Sequence, residues 1–292
     1  MPELPEIEAY LHALRSRIVG ETLLGVRVRS VSVLRTYDPP IDAAADRIVL
    51  DARRLGKRVV MDLDDGLHLV VHLMIAGRLK WLPQGATIPS RNGLAAFDFA
   101  DGTLLLTEAG SRRRASIHLV DTGGLRLLDP GGAEIADLDV AEFAERLGRE
   151  RHTLKRTLTN PQLFAGIGGA FADEILWAGR LSPTQMSTNL DREEIERLFN
   201  ATGDTLSRWT EIRVSEIGDG FPTKVTAFHP DMAVHGKFGE PCRACGATVQ
   251  RIVHGKRETN YCPGCQTDGK ILADRALSKL LKDDRPKTTD DL

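Results

Sequence analysis

All four cysteines of this 292-residue chain fall in one pattern near the C-terminus: Cys242-x2-Cys245, sixteen residues, then Cys262-x2-Cys265. Two thiolate pairs at that spacing close a tetrahedron around one structural Zn²⁺ and fix a small metal-held module. No cysteine is left for another task. A pair of disulfides, the alternative, needs an oxidising compartment. The chain instead opens MPELPEIEAY, with acidic residues and without the basic and apolar regions of a secretory signal. The longest apolar run, Leu67 to Ile75, is interrupted by His68 and His72 and is too short to span a bilayer. No membrane partner and a cytoplasmic location are therefore expected.

A net charge of −2 gives no global push toward nucleic acid, so any cations that grip a polyanion must be segregated. The sequence is arranged that way. Between Cys242 and Lys282 there are eight Lys and Arg against three acids, whereas acids outnumber bases from Ala133 to Glu150. The loop between the two ligand pairs carries Arg251, His254, Lys256 and Arg257. A zinc ribbon presenting cations suits a phosphate backbone.

A hydrophobic content of 41% is ample for real cores, and the length allows two domains plus a small module. Residues 5–18 read as a helix, with Pro5 in the first turn, Ile7, Leu11, Leu14 and Ile18 on one face, and Gly20 as a stop. Strand-like runs follow: Val26–Val33, Val59–Leu63 and Leu67–Leu73 around Asp64-Asp65-Gly66, and Phe97–Ala100 and Thr103–Thr107 around Asp101-Gly102. Residues 1–130 therefore form a mostly β domain, a sandwich or barrel with one N-terminal helix. Asp129-Pro130-Gly131-Gly132 marks a boundary. Helical patterns then cover Val140–Glu150, Thr153–Thr159, Gly169–Ala178 and Asp191–Ile212, the last opened by an Asp191/Glu194 capping box. The domains expected are thus 1–130, a helical domain at 133–230 and the zinc module at 237–272, with a frayed charged tail at 279–292.

The N-terminus has chemistry of its own. Met1 precedes Pro2, a residue small enough for the methionine to be trimmed, which leaves a secondary amine. An α-amino group titrates near pH 8, so a useful fraction is neutral at pH 7 and can form an iminium with a carbonyl-like carbon. Glu3 beside it can serve as general acid and base. Taken alone, Pro-Glu can equally be a helix start.

MPELPEIE, a lysine in Gly56-Lys57-Arg58-Val59-Val60, a Gly-x-Gly turn opening a helix (Gly166-Ile167-Gly168-Gly169), and the four-cysteine ribbon occur in that order. From residue 1 to about 270 the chain resembles the formamidopyrimidine-DNA glycosylase / endonuclease VIII family, and MPELPE is closer to its formamidopyrimidine branch. The resemblance implies an α+β multidomain protein: an N-terminal β-sandwich with a helix, a helix–two-turn–helix DNA-binding domain, and a zinc ribbon. It implies a bifunctional glycosylase/AP lyase of base excision repair, acting as a monomer on damaged, oxidised bases in double-stranded DNA. Pro2 would attack C1′ of the flipped nucleotide, Glu3 would assist ring opening, and Lys57 would contact the phosphate flanking the lesion. His72 would touch a phosphate, Arg257 would clamp the lesion-side phosphates, and Glu174 would be a buried structural glutamate. The zinc on Cys242, Cys245, Cys262 and Cys265 would be structural.

The pattern departs from the family in lesion reading. The family's Gly-x-Gly-Asn turn has Gly169 in place of the phosphate-binding Asn, so Gly168 and Gly169 offer backbone N–H groups alone. The branch's Asp-Pro-Arg-Arg-Phe-Gly turn is replaced by 108–116, which keeps Arg112 and Arg113 and lacks the Phe. The void-filling Met aligns with Ile75, an apolar wedge of another shape. The segment 220–230 has no clear counterpart of the lesion-capping loop. These differences imply retained lyase chemistry with an altered lesion range. A non-catalytic damage-binding protein of the same fold is the alternative, and a zinc-ribbon interaction protein the third reading.

Overall fold

Proline in a first turn and a 3–4 residue apolar spacing give the N-terminal helix, α1 (Leu4–Ile18). Glu3 caps it through a reciprocal box with Glu6, and Ile7, Leu11, Leu14 and Ile18 are fully buried. A computed structural model describes residues 1–110, 112–226, 228–255, 257–273 and 287–291. The chain divides into two compact units, 1–130 with 209–227, and 131–208 with 228–292.

The first unit is built on nine strands: β1 (Thr22–Leu23), β2 (Gly25–Val28), β3 (Arg47–Leu55), β4 (Arg58–Leu63), β5 (Leu67–His72), β6 (Gly77–Leu82), β7 (Gly93–Phe99), β8 (Gly102–Glu108) and β9 (Ser116–Asp121). They form a five-stranded sheet in the order β1-β3-β4-β5-β9 and a four-stranded sheet in the order β2-β7-β8-β6. All their pairings are antiparallel. Period-two alternation puts Val59, Met61, Leu69, Val71, Ile117 and Leu119 on one face, where they share a core with Phe97, Leu104 and Leu106 of the other sheet and with α1. This is the expected sandwich with its helix. On the opposite face of the five-stranded sheet, α2 (Thr122–Leu128) packs Leu125 on Val60, Val70 and Val120.

The hairpin signal at Asp64-Asp65-Gly66 is realised as a tight turn with φ of 56° at Asp65 and 72° at Gly66. The Val26–Val33 strand is shorter than its pattern: β2 ends at Val28, and Val31–Val33 is a 3-10 turn. Val33 plugs into the core while Val31 is 66% exposed. Residues two apart in a strand share a face, so the opposite burial of the two valines marks the break from the strand.

The second unit contains α3 (Val140–Gly148), α4 (Leu154–Leu158), α5 (Gly169–Ala178), the first part of α6 (Arg192–Ile217), the hairpin β10 (Gln250–His254) and β11 (Arg257–Tyr261), and α7 (Pro263–Gln266). The Asp191/Glu194 box forms, with Glu194 N donating to Asp191 at 2.8 Å and Asp191 N to Glu194 at 3.1 Å. The helix runs five residues past Ile212, until Gly218 turns the chain with φ 48°. Residues 209–217 belong to the first unit. Of the tail, 279–286 and 292 lie outside the described residues. The described part is not frayed: Ile271 N donates to Lys287 O, and Lys270 pairs with Thr288. Among the described residues, no helix is long and apolar enough to cross a membrane.

Candidate active site

The chain start is built into the core. Pro2 is buried, and Glu3 and Glu6 are 4% and 2% exposed. Glu6 accepts the Glu3 N–H at 2.9 Å, so the first turn of α1 holds the Pro2-Glu3 backbone in place. Arg213, on α6, brings its guanidinium 3.5 Å from Glu6, donates to Thr226 O at 2.9 Å, and pairs with Glu216 at 3.1 Å. Burial and then the Glu3 charge push the Glu6 carboxyl up to about 7, against the pull of Arg213.

Burial also holds the Met1 amine below its ordinary 8.0, with Arg78 and Lys57 acting in the same direction and Glu3 and Glu6 opposing. Lys57 sits in the β3–β4 turn after Gly56, whose φ is 59°. Its ammonium is held low by burial, with Glu3 pulling the other way. The terminal amine, Glu3 and Lys57 therefore act on one another electrostatically. Trimming of Met1 would leave the Pro2 amine in this buried setting beside Glu3 and Lys57, an arrangement suited to iminium chemistry. Glu6, Arg78 and Arg213 were not singled out in the sequence. Glu6 could have been found as the fourth residue of a Glu3-x-x-Glu6 capping box.

Replacing Glu6 tests this arrangement. Its folded value near 7 lies above its ordinary 4.5, so the folded state holds the extra proton between those values. The contribution to stability is complete below pH 4.5 and is lost as pH rises through 7. We expect this group to lower wild-type stability by roughly 3 kcal/mol across that window, read by urea unfolding. Glu6→Gln should remove that part of the slope; parallel pH curves for the two proteins would refute the assignment.

His72 ends β5 opposite Arg58 of β4. Burial first, then the Arg58, Lys57 and His118 charges, push its imidazole down to about 4. Ile75 stands 62% exposed after Met74, whose φ is 52°. This turn is tightly closed: Gly77 N donates to Leu73 O at 2.8 Å, and a Cβ on Gly77 would lie 2.2 Å from that oxygen. In the loop after β8, Arg112 and Arg113 are exposed, and Arg113 donates to Arg91 O at 2.6 Å. Buried Glu108 organises the loop's end by accepting the Arg114 and Ala115 N–H groups at 2.8 and 2.9 Å. Ser111 lies outside the described residues.

In the second unit, Gly168 caps α5 and Gly169 begins it. A Cβ on Gly169 would meet nothing within 4 Å, so the helix start is open. The next turn of α5 carries two buried carboxylates. Glu174 accepts the backbone N–H groups of Ala233, Val234 and His235 at 2.7–2.9 Å, the structural role expected of it. Asp173, not singled out in the sequence, is paired with Lys155 of α4 at 2.6 Å and with His235 at 2.9 Å. It also accepts the Asn260 N–H of β11 at 3.2 Å. Arg257 begins β11 and is exposed; Lys256 lies outside the described residues.

The four cysteine Sγ atoms lie within 4.8 Å of one another. Cys242 and Cys265 are 3.8 Å apart and Cys245 and Cys262 3.4 Å. Zn–S bonds of about 2.3 Å in a tetrahedron put sulfurs about 3.8 Å apart, so the cluster fits one Zn²⁺. Trp177 Nε1 donates to Cys242 Sγ and Cys265 N to Cys262 Sγ, both at 3.4 Å, which supplies outer hydrogen bonds to two thiolates.

Residues 1–130 match the formamidopyrimidine-DNA glycosylase N-terminal domain, 131–219 its H2TH domain, and 239–267 the zinc finger found in FPG and IleRS. The formamidopyrimidine-DNA glycosylase of Pelotomaculum thermopropionicum is 32% identical over 275 residues, covering 91% of this chain and 99% of its own. That of Herpetosiphon aurantiacus is 30% identical over 278 residues, covering 91% and 100%. Among solved structures, Lactococcus lactis Fpg with abasic-site DNA matches at TM-score 0.79 and 25% identity, over 91% of this chain and 99% of that one. The same enzyme with oxidised-pyrimidine DNA matches at 0.79 and 26%, over 91% and 100%.

Proposed function

We infer that this chain, which belongs to the formamidopyrimidine-DNA glycosylase / endonuclease VIII family, excises damaged bases from duplex DNA and cuts the strand through an N-terminal Schiff base. The observation that carries the mechanism is the buried chain start, where Pro2 is enclosed, the Met1 amine, Glu3 and Lys57 act on one another, and Glu6 holds the Glu3 backbone. With Met1 removed, the Pro2 nitrogen attacks C1′ of an extruded nucleotide. The base leaves, an iminium forms, and Glu3 moves protons during ring opening. Elimination then breaks the strand. Lys57 and His72 hold phosphates beside the damaged nucleotide, and Ile75 with Arg112 and Arg113 fills and reads the vacated stack. Gly168 and Gly169 offer N–H groups to a phosphate, and Arg257 clamps the backbone from the ribbon. Cys242, Cys245, Cys262 and Cys265 hold one structural zinc. The chain would comprise a catalytic sandwich at 1–130, a helix–two-turn–helix domain at 133–230, a ribbon at 237–272 and a charged tail at 279–292, acting as a cytoplasmic monomer, nucleoid-associated in a bacterium.

Borohydride trapping on a duplex with one abasic site tests this reading. Trapping and single-turnover strand cutting are expected; tight binding without either would identify a damage-binding protein instead. The altered lesion readers lead to a broadened substrate range, measured on duplexes carrying oxidised purines, oxidised pyrimidines and bulky adducts.

Gly169 offers a gain-of-function test. An Asn side chain there has open space and adds a hydrogen bond to a charged phosphate, worth about 1.5–3 kcal/mol. Gly169→Asn should therefore tighten abasic-duplex binding by about tenfold or more; unchanged affinity would remove the α5 start from the DNA surface.

A further inference from the structure

The strand registers gather more phosphate-binding groups on the first unit than the reaction uses. Arg58 of β4 pairs with His72 of β5, which pairs with Ser116 of β9. His118 lies two residues along β9, so alternation returns it to the same outer face of the sheet. Arg35 joins from outside, its N–H bonded to Ile117 O at 3.0 Å. The Arg58 charge acts on both histidines, and the Arg35 charge acts on His118.

These groups are poorly compensated. Arg58, His72 and His118 are half-buried, and among the described residues none of their side chains makes a hydrogen bond or close ion pair. Asp129 is the carboxylate whose charge favours Arg58. Holding the Arg58 guanidinium half-buried beside two imidazoles without a close partner is unfavourable unless an anion completes the site. Tyr37, two residues on from Arg35, is 74% exposed. A solvent-facing ring beside a cationic track is a feature of nucleic-acid surfaces.

We propose that Arg58 and His118, with Arg35 at the margin, form a second backbone-phosphate site beside the one assigned to Lys57 and His72, so that the part of the sheet's outer face left open by α2 carries DNA beyond the damaged nucleotide. This rests on the DNA-repair reading above. Arg58 supplies the fixed charge and His118 a hydrogen bond.

The full chain is titrated with an abasic-site duplex across a salt series. Arg58→Gln should reduce the slope of log K against log salt by about 0.9, one phosphate contact, and Arg58→Lys should restore it. A neutral methylphosphonate walked along each strand should reveal one position that weakens wild-type binding several-fold yet has no further effect in Arg58→Gln or His118→Ala. Phenylglyoxal modification of wild type, mapped by peptide mass, needs no variant: saturating duplex should protect Arg58. Equal modification with and without duplex, or an unchanged salt slope in folded Arg58→Gln, overturns the proposal. Absence of borohydride trapping in wild type would instead count against the reading it rests on.

Discussion

A form of the protein with an uncleaved N-terminal extension should bind abasic-site DNA, yet give no borohydride-trapped complex and no strand cutting above background. In that form the Pro2 nitrogen is an amide, whose lone pair is delocalised into the carbonyl, and it cannot form an iminium. The expected fall in single-turnover cutting is roughly 10³-fold or more, the order seen when a covalent nucleophile is removed. Blocking the terminus is a cleaner test than Pro2→Gly, because a terminal glycine still carries an attacking amine. Glu3 and Lys57 keep their positions in the sequence, so a surviving trap would place the nucleophile on a side chain and refute the N-terminal mechanism. Peptide mapping of any trapped complex identifies the attached nitrogen directly.

Stripping zinc should have the second large effect. A structural Zn²⁺ on thiolates contributes about 10–16 kcal/mol of binding free energy, much of it realised as folding of the module that holds it. The ribbon offers little else to replace it: β10 and β11 are five residues each, and the small cluster around the site consists mainly of Val234, Val249 and the cysteines themselves. Chelation, or Cys262→Ser, should unfold residues 239–267 and abolish tight duplex binding, while circular dichroism retains most of the remaining secondary structure. Added Zn²⁺ should reverse chelation and not the substitution. Retained duplex affinity in a verified metal-free protein would show that the Arg257 loop is not a DNA contact.

The fold was largely legible where local rules are strong. The α1 stripe, the Asp64-Asp65-Gly66 hairpin, the Asp191/Glu194 cap and the cysteine spacing each encode their structure within a few residues. The strand proposed through Val33 was misjudged because the valines at 31 and 33 read as a continuation of those at 26 and 28, whereas the chain leaves the sheet after Val28. The end of α6 was misplaced because Arg213 continues the helix as a buried polar residue, which an apolar-periodicity reading cannot see. In the candidate site, Pro2, Glu3 and Lys57 could be named from motifs. Arg213 could not, since its contact with Glu6 spans 207 positions. Asp173 was hidden in the same way: its partners Lys155, His235 and Asn260 lie on separate segments and meet only after folding.

The closed turn at Gly77 has a further consequence. With its glycine pressed onto the Leu73 carbonyl, that turn cannot accept a side chain at position 77 without shifting. Ile75 rides on a pedestal of fixed height. On its proposed role as a wedge, a swap of Ile75 alone should retune selectivity while leaving the sandwich beneath it undisturbed.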